Sequence, residues 1–258
     1  MNEKKFSHGI IRPMKGKKDP HLAPDVLMVM IPSELLFLAK KADAAKTAFT
    51  DMRLYDLYRT QGKNKTSVTL AGPFIGAPQA VMGLEKLIAL GAKRVLMLGW
   101  CGSLQPSLKI GDLVIPTHAI AEEGTSPHYP TSLKNPPSDT ALNRILETIL
   151  KERKTPFTKG PIWTTDAIYR ETPEKVKAYQ QQNILAVEME VSALLAVSSF
   201  RSVQLAALLV VSDELFELKW NPGFSNSRLK ASSRKAAELL LEAHKRLGRS
   251  EKSPGEMK

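Results

Sequence analysis

Short apolar runs alternate with helix-like stretches along almost the whole chain, and this alternation constrains the fold more than any other feature. Runs of this length, bounded by Gly, Pro or Ser, are typical of strands buried on both faces of a sheet. We predict such strands over 25–31, 67–71, 94–98 and 205–212, a longer strand over 112–121 and a further one over 160–164.

Between these strands the apolar residues recur with helical spacing. Helices are predicted over 79–90, 138–150, 186–200 and 229–247, with shorter ones that begin at Ser33 and at Thr172-Pro173. Ser33 and Ser138 are the predicted caps of their helices, since a side-chain oxygen there accepts from the first free backbone N–H groups. Strands that alternate with helices indicate an α/β fold with a largely parallel or mixed sheet.

The charge is concentrated at the two ends of the chain. The net charge is +11 over 258 residues, but residues 1–24 carry +4, residues 228–258 carry +5 and the long middle only +2. A basic end can touch RNA or an anionic membrane, or can simply be solvated. We favour the solvated interpretation and expect no nucleic-acid partner. The predicted organisation is a basic extension over 1–24, one domain over 25–247 and a disordered tail over 248–258.

Other sequence features limit the class of protein. No apolar run reaches the roughly 20 residues that a membrane helix needs, and the charged first residues lack the apolar core of a secretory signal. Cys101 is the single cysteine, so an internal disulfide is impossible. We therefore predict a cytoplasmic protein without a membrane partner. The five histidines and Cys101 show no metal-ligand spacing, so no metal is expected.

Chemically useful residues follow several of the predicted strands, where α/β proteins bind ligands. They are the glycine-rich segment 98–112, the Val187-Glu188-Met189-Glu190 segment, the Ser212-Asp213 pair and the segment 165–169 with Ile168 and Tyr169. A carboxylate of the second group suits a cis-diol, and Asp213 suits proton transfer. Each group also has a structural alternative: a tight turn, two acids at a helix N-terminus, a helix cap or core residues.

Taken together and in this order, the segments resemble the nucleoside phosphorylase superfamily. The strongest matches are 99–116, 164–169, 185–197 and 208–214, within a resemblance over about residues 25–245. The resemblance implies a three-layer α/β sandwich with a mixed central sheet. It also implies an enzyme that cleaves the N-glycosidic bond of a nucleoside, giving free base and ribose 1-phosphate or ribose.

The resemblance implies a role for each group of residues. Glu190 would hold the ribose hydroxyls, with Met189 packed on the sugar and Glu188 supporting the site. Asp213 would donate a proton toward N7 of the base, and the Ser212-Asp213 pair is similar to that of the purine-cleaving branches. Ile168, Tyr169 and Ser212 would line the base pocket, and Gly99 would border the sugar and the acceptor.

The sequence departs from the family at the acceptor side. Met97 and Trp100 stand where the phosphorylases carry an arginine and a hydroxyl, and no arginine follows the first strand. Trp100 could stack on a base, fill the phosphate site or simply pack. Glu34 falls near the glutamate that activates water in the nucleosidase branch, or is an ordinary first-turn acid of a helix. Arg53, or Arg59, is a loose match to an arginine that the family lends across a subunit interface.

The expected partners follow from the same resemblance. They are a small-molecule nucleoside and further copies of this chain, in a dimer, trimer or hexamer. No cofactor is expected, and phosphate is a possible co-substrate. A phosphate-independent nucleosidase and a non-catalytic nucleoside-binding homologue remain the alternatives.

Overall fold

Ten strands form one sheet in the computed structural model, which describes residues 9–49, 54–60, 67–133 and 135–250. The strands are β1 (Asp25–Val29), β2 (Ala44–Lys46), β3 (Asp56–Thr60), β4 (Thr69–Gly72), β5 (Arg94–Ser103), β6 (Leu113–Glu122), β7 (Thr158–Thr165), β8 (Ala186–Glu188), β9 (Gln204–Glu214) and β10 (Asn221–Pro222). The helices are α1 (Pro32–Lys41), α2 (Ala77–Leu90), α3 (Thr140–Glu152), α4 (Pro173–Gln181), α5 (Val191–Arg201) and α6 (Ser227–Ser250).

The sheet is mixed, and part of it closes on itself. The spatial order is β10-β9-β6-β7-β8-β5-β1-β4-β3-β2, and β9 pairs with β5 as well. The strands β5, β9, β6, β7 and β8 therefore form a closed ring, from which β1, β4, β3 and β2 extend on one side. Ladders of both senses occur: β5 runs parallel to β1 and β9 but antiparallel to β8. The predicted mixed sheet is confirmed, whereas its closure is a feature that the apolar pattern did not reveal.

Two apolar clusters sandwich the sheet. One contains Leu84 and Leu87 of α2 with Leu194 and Val197 of α5. The other is built from α1, α3 and α6 on the opposite face and includes Leu240 of α6. Because the side chains of a strand alternate between faces, β5 contributes to both clusters. The predicted three-layer arrangement is confirmed.

Two predicted boundaries are wrong. β5 does not end at Leu98 but continues through the glycine-rich segment to Ser103, because β9 pairs with it residue by residue up to Glu214. The predicted helix over 186–200 begins instead with strand β8, and α5 starts only at Val191. Both errors concern strands whose partners lie far away in sequence, which local pattern cannot show.

Both predicted helix caps are wrong. Ser33 does not cap α1, which begins at Pro32 without a side-chain cap. Ser138 does not cap α3 either: its hydroxyl is buried and donates to the Pro116 carbonyl at 2.7 Å, and Asp139 accepts from the Leu142 N–H instead. The predicted start of a helix at Thr172-Pro173 is confirmed, and the Thr172 hydroxyl accepts from the Lys175 N–H there.

The ends of the described chain lie on the sandwich. The buried carboxylate of Asp19 pairs with Lys86 Nζ of α2 at 2.9 Å, so part of the predicted N-terminal extension is packed. α6 continues to Ser250, two residues past the predicted start of the tail, and residues 251–258 lie outside the described part. Among the described residues no helix is both long and apolar enough to cross a membrane.

Candidate functional site

Glu188 ends β8 and supports the turn that leads into α5. Its Oε2 accepts hydrogen bonds from the backbone N–H groups of Glu190 at 2.7 Å and Val191 at 2.8 Å, and its Oε1 accepts from the Thr164 hydroxyl. Burial raises the pKa of this carboxyl to about 7 despite these donors. Glu188 therefore holds the backbone at the N-terminus of α5. This is the structural alternative named above, an acid at a helix N-terminus. Its predicted supporting role stays a prediction.

Glu190 directs a buried carboxyl group away from its own helix. Its Oε1 accepts from the Gly76 N–H at 2.6 Å, just before α2 begins, and the side chain makes no capping bond to α5. Burial, followed by the nearby Glu188, raises the pKa of Glu190 to about 8. Met189, between the two acids, is half-buried. A carboxyl group this deep is suited to further hydrogen-bond donors from a ligand.

Asp213 lies near the end of β9, in the same transverse row of the sheet as the acids above. Its ladder partner is Gly102 of β5, whose partner on the other side is Val187, the residue before Glu188. The pKa of the buried Cys101 thiol is affected by acids on both sides of this row. Burial first, and then the nearby Asp213 and Glu188, hold its pKa well above the ordinary value. The structure thus brings the two predicted acidic groups to one end of the closed ring.

Gly102 stands at the centre of this row, where there is no room for a side chain. A Cβ at this position would lie 2.5 Å from Leu215 Cδ1 and 3.1 Å from Asp213 Oδ2, closer than side chains pack. We expect Gly102→Ala to lower the free energy of unfolding by about 1–3 kcal/mol, the usual cost of overpacking, and to displace Asp213.

Denaturant titration measures the loss of stability at Gly102. Gly248→Ala is the matched control, because a Cβ there would meet nothing within 4 Å. Equal stability of the Gly102 variant and the wild type would contradict the crowding that the distances indicate.

Both oxygens of the Asp213 carboxylate accept hydrogen bonds. The Ser212 hydroxyl donates to Oδ1 at 2.6 Å, and the Trp220 indole N–H donates to Oδ2 at 3.0 Å. Glu171 is a further acid near this group: burial, and then Asp213 itself, raise the pKa of Glu171 to about 7. Ser212 therefore touches the predicted acid directly, whereas its contact with a base stays a prediction.

Ile168 and Tyr169 lie in one short 3-10 turn after β7. Their side chains are 45% and 94% exposed, so the alternative that they are core residues is wrong. Asp166, two residues earlier, accepts from the Gly124 N–H at 2.9 Å and so fixes the start of this segment. Their predicted role on the base pocket stays a prediction.

The three atoms nearest to a side chain built at Gly99 are all apolar. A Cβ at Gly99 would meet Met97, Leu209 and Met30 within 3.6 Å. Trp100 lies on the opposite face of β5, where its indole N–H donates to Ser233 of α6 at 2.9 Å and its ring lies 5.9 Å from that of Phe224. Of the three roles considered for Trp100, these contacts agree with simple packing.

Glu34 is buried but not alone. Arg234 Nε of α6 lies 2.8 Å from its Oε2, and the guanidinium stacks 3.7 Å from the centre of the Phe37 ring. An acid fixed by an arginine can act as a base only if this pair opens, so the predicted role of Glu34 in activating water stays a prediction with that condition. Arg53 lies outside the described residues. Within the described ranges no cluster of three or more His, Cys, Asp or Glu could hold a metal ion.

The sequence analysis missed two groups that donate hydrogen bonds to the candidate acids, Gly76 and Trp220, and a third acid near Asp213, Glu171. Gly76 contacts Glu190 across 114 positions of sequence, which no local motif reveals. Trp220 follows Asp213 by only seven residues. This short spacing between an aromatic residue and a candidate acid was the one sequence signal that could have indicated their contact.

Comparison with known proteins gives the context of this site. Residues 24–245 match the phosphorylase superfamily. The guanosine phosphorylase of Halorubrum lacusprofundi is 33% identical over 152 residues, 58% of this chain and 62% of that protein. The DeoD-type purine nucleoside phosphorylase of Caldanaerobacter subterraneus subsp. tengcongensis is 28% identical over 78% of this chain and 87% of its own. The crystal structure of uridine phosphorylase from Vibrio fischeri superposes with a TM-score of 0.75 and 24% identity, covering 86% and 92% of the two chains.

The fold is that of an α/β protein, with a partly closed mixed sheet between two helical layers. Its buried acids form a polar site at the strand ends, at one end of the closed ring. The match over 24–245 covers most of the chain, and the protein belongs to the phosphorylase superfamily. The predicted family, and with it the predicted class of nucleoside phosphorylase-type enzyme, is confirmed.

Proposed function

We propose that this protein cleaves the N-glycosidic bond of purine nucleosides. The observation that carries the proposal is the transverse row across β9, β5 and β8, which joins Asp213 through Gly102 to the turn that holds Glu190. The names of the relatives, which include a guanosine phosphorylase and a purine nucleoside phosphorylase, support purine over pyrimidine.

In the proposed reaction, Glu190 accepts hydrogen bonds from the ribose 2′- and 3′-hydroxyls while Met189 packs against the sugar. As the base departs, positive charge grows on the sugar ring and negative charge on the base. The Glu190 carboxylate stabilises the first, so this carboxyl group, whose pKa burial raises to about 8, must release its proton when the nucleoside binds. A proton from Asp213 at N7 neutralises the second. For this step Asp213 must present a protonated oxygen to the base. Hydrogen bonds from Ser212 and Trp220 now occupy both of its oxygens, so at least one of them must be replaced.

The acceptor that captures C1′ is phosphate or water. The relatives' names favour phosphate, whereas the apolar surroundings of Gly99 favour water as the second candidate, because a phosphate dianion needs charge-assisted donors. In the hydrolytic version Glu34 activates the water after its pair with Arg234 opens.

A nucleoside panel analysed by chromatography, with and without phosphate, tests the function. We expect base release from inosine, guanosine or adenosine at least about 100-fold faster than from uridine, the low end of the range expected when one acid–base contact is lost. Release that rises with phosphate identifies phosphorolysis, and release that ignores phosphate identifies hydrolysis. Failure to release base from any nucleoside would contradict the proposal and favour a non-catalytic binder.

The proposal includes a homo-oligomer in the cytoplasm. Ile75, next to the Gly76 N–H that holds Glu190, is 75% exposed, and Met82 of α2 is 46% exposed. These apolar side chains beside the site support a subunit interface there. The single cysteine fits a reducing compartment.

A further inference from the structure

Trp220 makes a polar contact that packing does not explain. Its side chain is 59% exposed, yet its indole N–H donates to Asp213 Oδ2 at 3.0 Å. Trp220 ends the loop from Leu215 to Trp220, which joins β9 to the two-residue strand β10. A large aromatic side chain left mostly in solvent gains little from burial, so the hydrogen bond to Asp213 is its most specific interaction.

The same loop also fills the space beside Gly102. Leu215 Cδ1 lies 2.5 Å from the point that a Cβ of Gly102 would occupy, and Asp213 Oδ2 lies 3.1 Å from it. A ligand that approaches Asp213 along this glycine therefore meets Leu215 and Trp220 first. In the ligand-free chain the space next to the candidate acid is taken by the protein's own loop.

We propose that the Trp220 indole occupies the purine position in the ligand-free protein and that a base must displace it. Indole and purine are both a six-membered ring fused to a five-membered ring, and each presents a five-ring N–H to the carboxylate once purine N7 is protonated. This inference rests on the proposed function, because it takes Asp213 as the residue that faces the base.

Self-occupation lowers the apparent affinity for a base. Only molecules with the indole displaced can bind, so the measured dissociation constant is raised by the reciprocal of that fraction. A hydrogen bond to a carboxylate from a neutral donor is strong enough to keep this fraction at about one tenth or less. Phe224, whose ring centre lies 6.2 Å from that of Trp220, contacts the same indole while it donates to Asp213 and adds to the interactions that a base must displace.

The test compares equilibrium binding of adenine, guanine and hypoxanthine to the wild type, Trp220→Phe and Trp220→Ala by calorimetry. Trp220→Phe removes the N–H and keeps an aromatic ring, whereas Trp220→Ala removes both. We expect both variants to bind the preferred base about tenfold more tightly. Leu218→Ala, in the same loop and 38% exposed, is the control and keeps the wild-type affinity. Unchanged or weaker binding in both Trp220 variants would overturn the inference, the latter by making Trp220 a stacking surface for the base.

Acrylamide quenching of tryptophan fluorescence gives a second readout. Displacement of Trp220 increases quenching of the wild type when base is added, and Trp220→Phe shows no such increase. Trp163 is fully buried and Trp100 is half-buried, and because both remain in Trp220→Phe, that variant measures their background. Protection from acrylamide by the base would overturn the inference.

The two proposals fail in different ways. Base binding without base release from any nucleoside contradicts the proposed function and leaves the binding comparison intact. Binding by Trp220→Ala but not by the wild type supports self-occupation most strongly. No binding by any of the three proteins overturns self-occupation together with the base site.

Discussion

Asp213→Asn is expected to lower kcat for purine nucleosides by about 100- to 10,000-fold, the range for loss of a general acid. Asparagine keeps the shape of the side chain and can still accept from Ser212 or Trp220. It cannot transfer a proton to N7, so the base must leave as an anion. Because the loss arises in the chemical step, KM should change far less than kcat in steady-state kinetics.

A substrate that needs no proton distinguishes this role from a structural one. An N7-methylated purine nucleoside already carries positive charge on the base, so its cleavage should fall only a few-fold in Asp213→Asn. Asp56→Asn is the matched control, since Asp56 of β3 forms an exposed ion pair with Lys46 of β2 and such pairs contribute little. An equal loss on both substrates would show that Asp213 is not the acid at N7.

The sequence predicts the sheet well where a strand is a continuous apolar run. β1, β4 and β9 lie where the pattern predicts them, because strands buried on both faces need such runs. The extension of β5 over Gly99–Ser103 escapes the pattern, since small and polar residues there are typical of a turn. Its strand conformation comes from the β9 ladder and includes a register shift between Cys101 and Gly102.

The site shows the same limit. The residues Glu188, Glu190 and Asp213 are recognisable singly, because each follows a strand and matches a family segment. Their second partners are not: the Thr164 hydroxyl, the Gly76 N–H and the Trp220 indole reach them through tertiary contacts. Helix capping failed for a related reason, since the Ser138 hydroxyl is used in a long-range bond to Pro116. The sequence thus identifies the reactive side chains, but it shows neither their protonation state nor the distant groups that hydrogen-bond to them.

Glu190→Gln is expected to lower kcat/KM by about 100- to 1,000-fold, the range for loss of one preorganised electrostatic partner. The amide oxygen can still accept from Gly76, but the amide group offers the ribose diol only one acceptor and no charge to stabilise the positive sugar ring. Kinetics on the preferred nucleoside measure this loss. Glu238→Gln on the exposed face of α6 is the control, because Glu238 pairs only with Lys41 at the surface.

The same substitution should stabilise the ligand-free protein at alkaline pH. Burial raises the pKa of Glu190 from 4.5 to about 8, so between these values the folded state binds more protons than the unfolded state. Stability from this group is therefore complete below pH 4.5 and is lost as the pH rises through 8. Glutamine does not titrate, and the variant should exceed the wild type by up to about 5 kcal/mol at pH 9, with the difference becoming small near pH 5.

Urea denaturation at several pH values follows this difference. A variant that is less stable than the wild type at pH 9 would mean that the ionised carboxylate stabilises the empty site, and the burial argument for Glu190 would then be wrong. We therefore expect Glu190→Gln to lose activity and to gain stability. This combination is expected of a residue that is needed to bind ribose although its charge destabilises the fold.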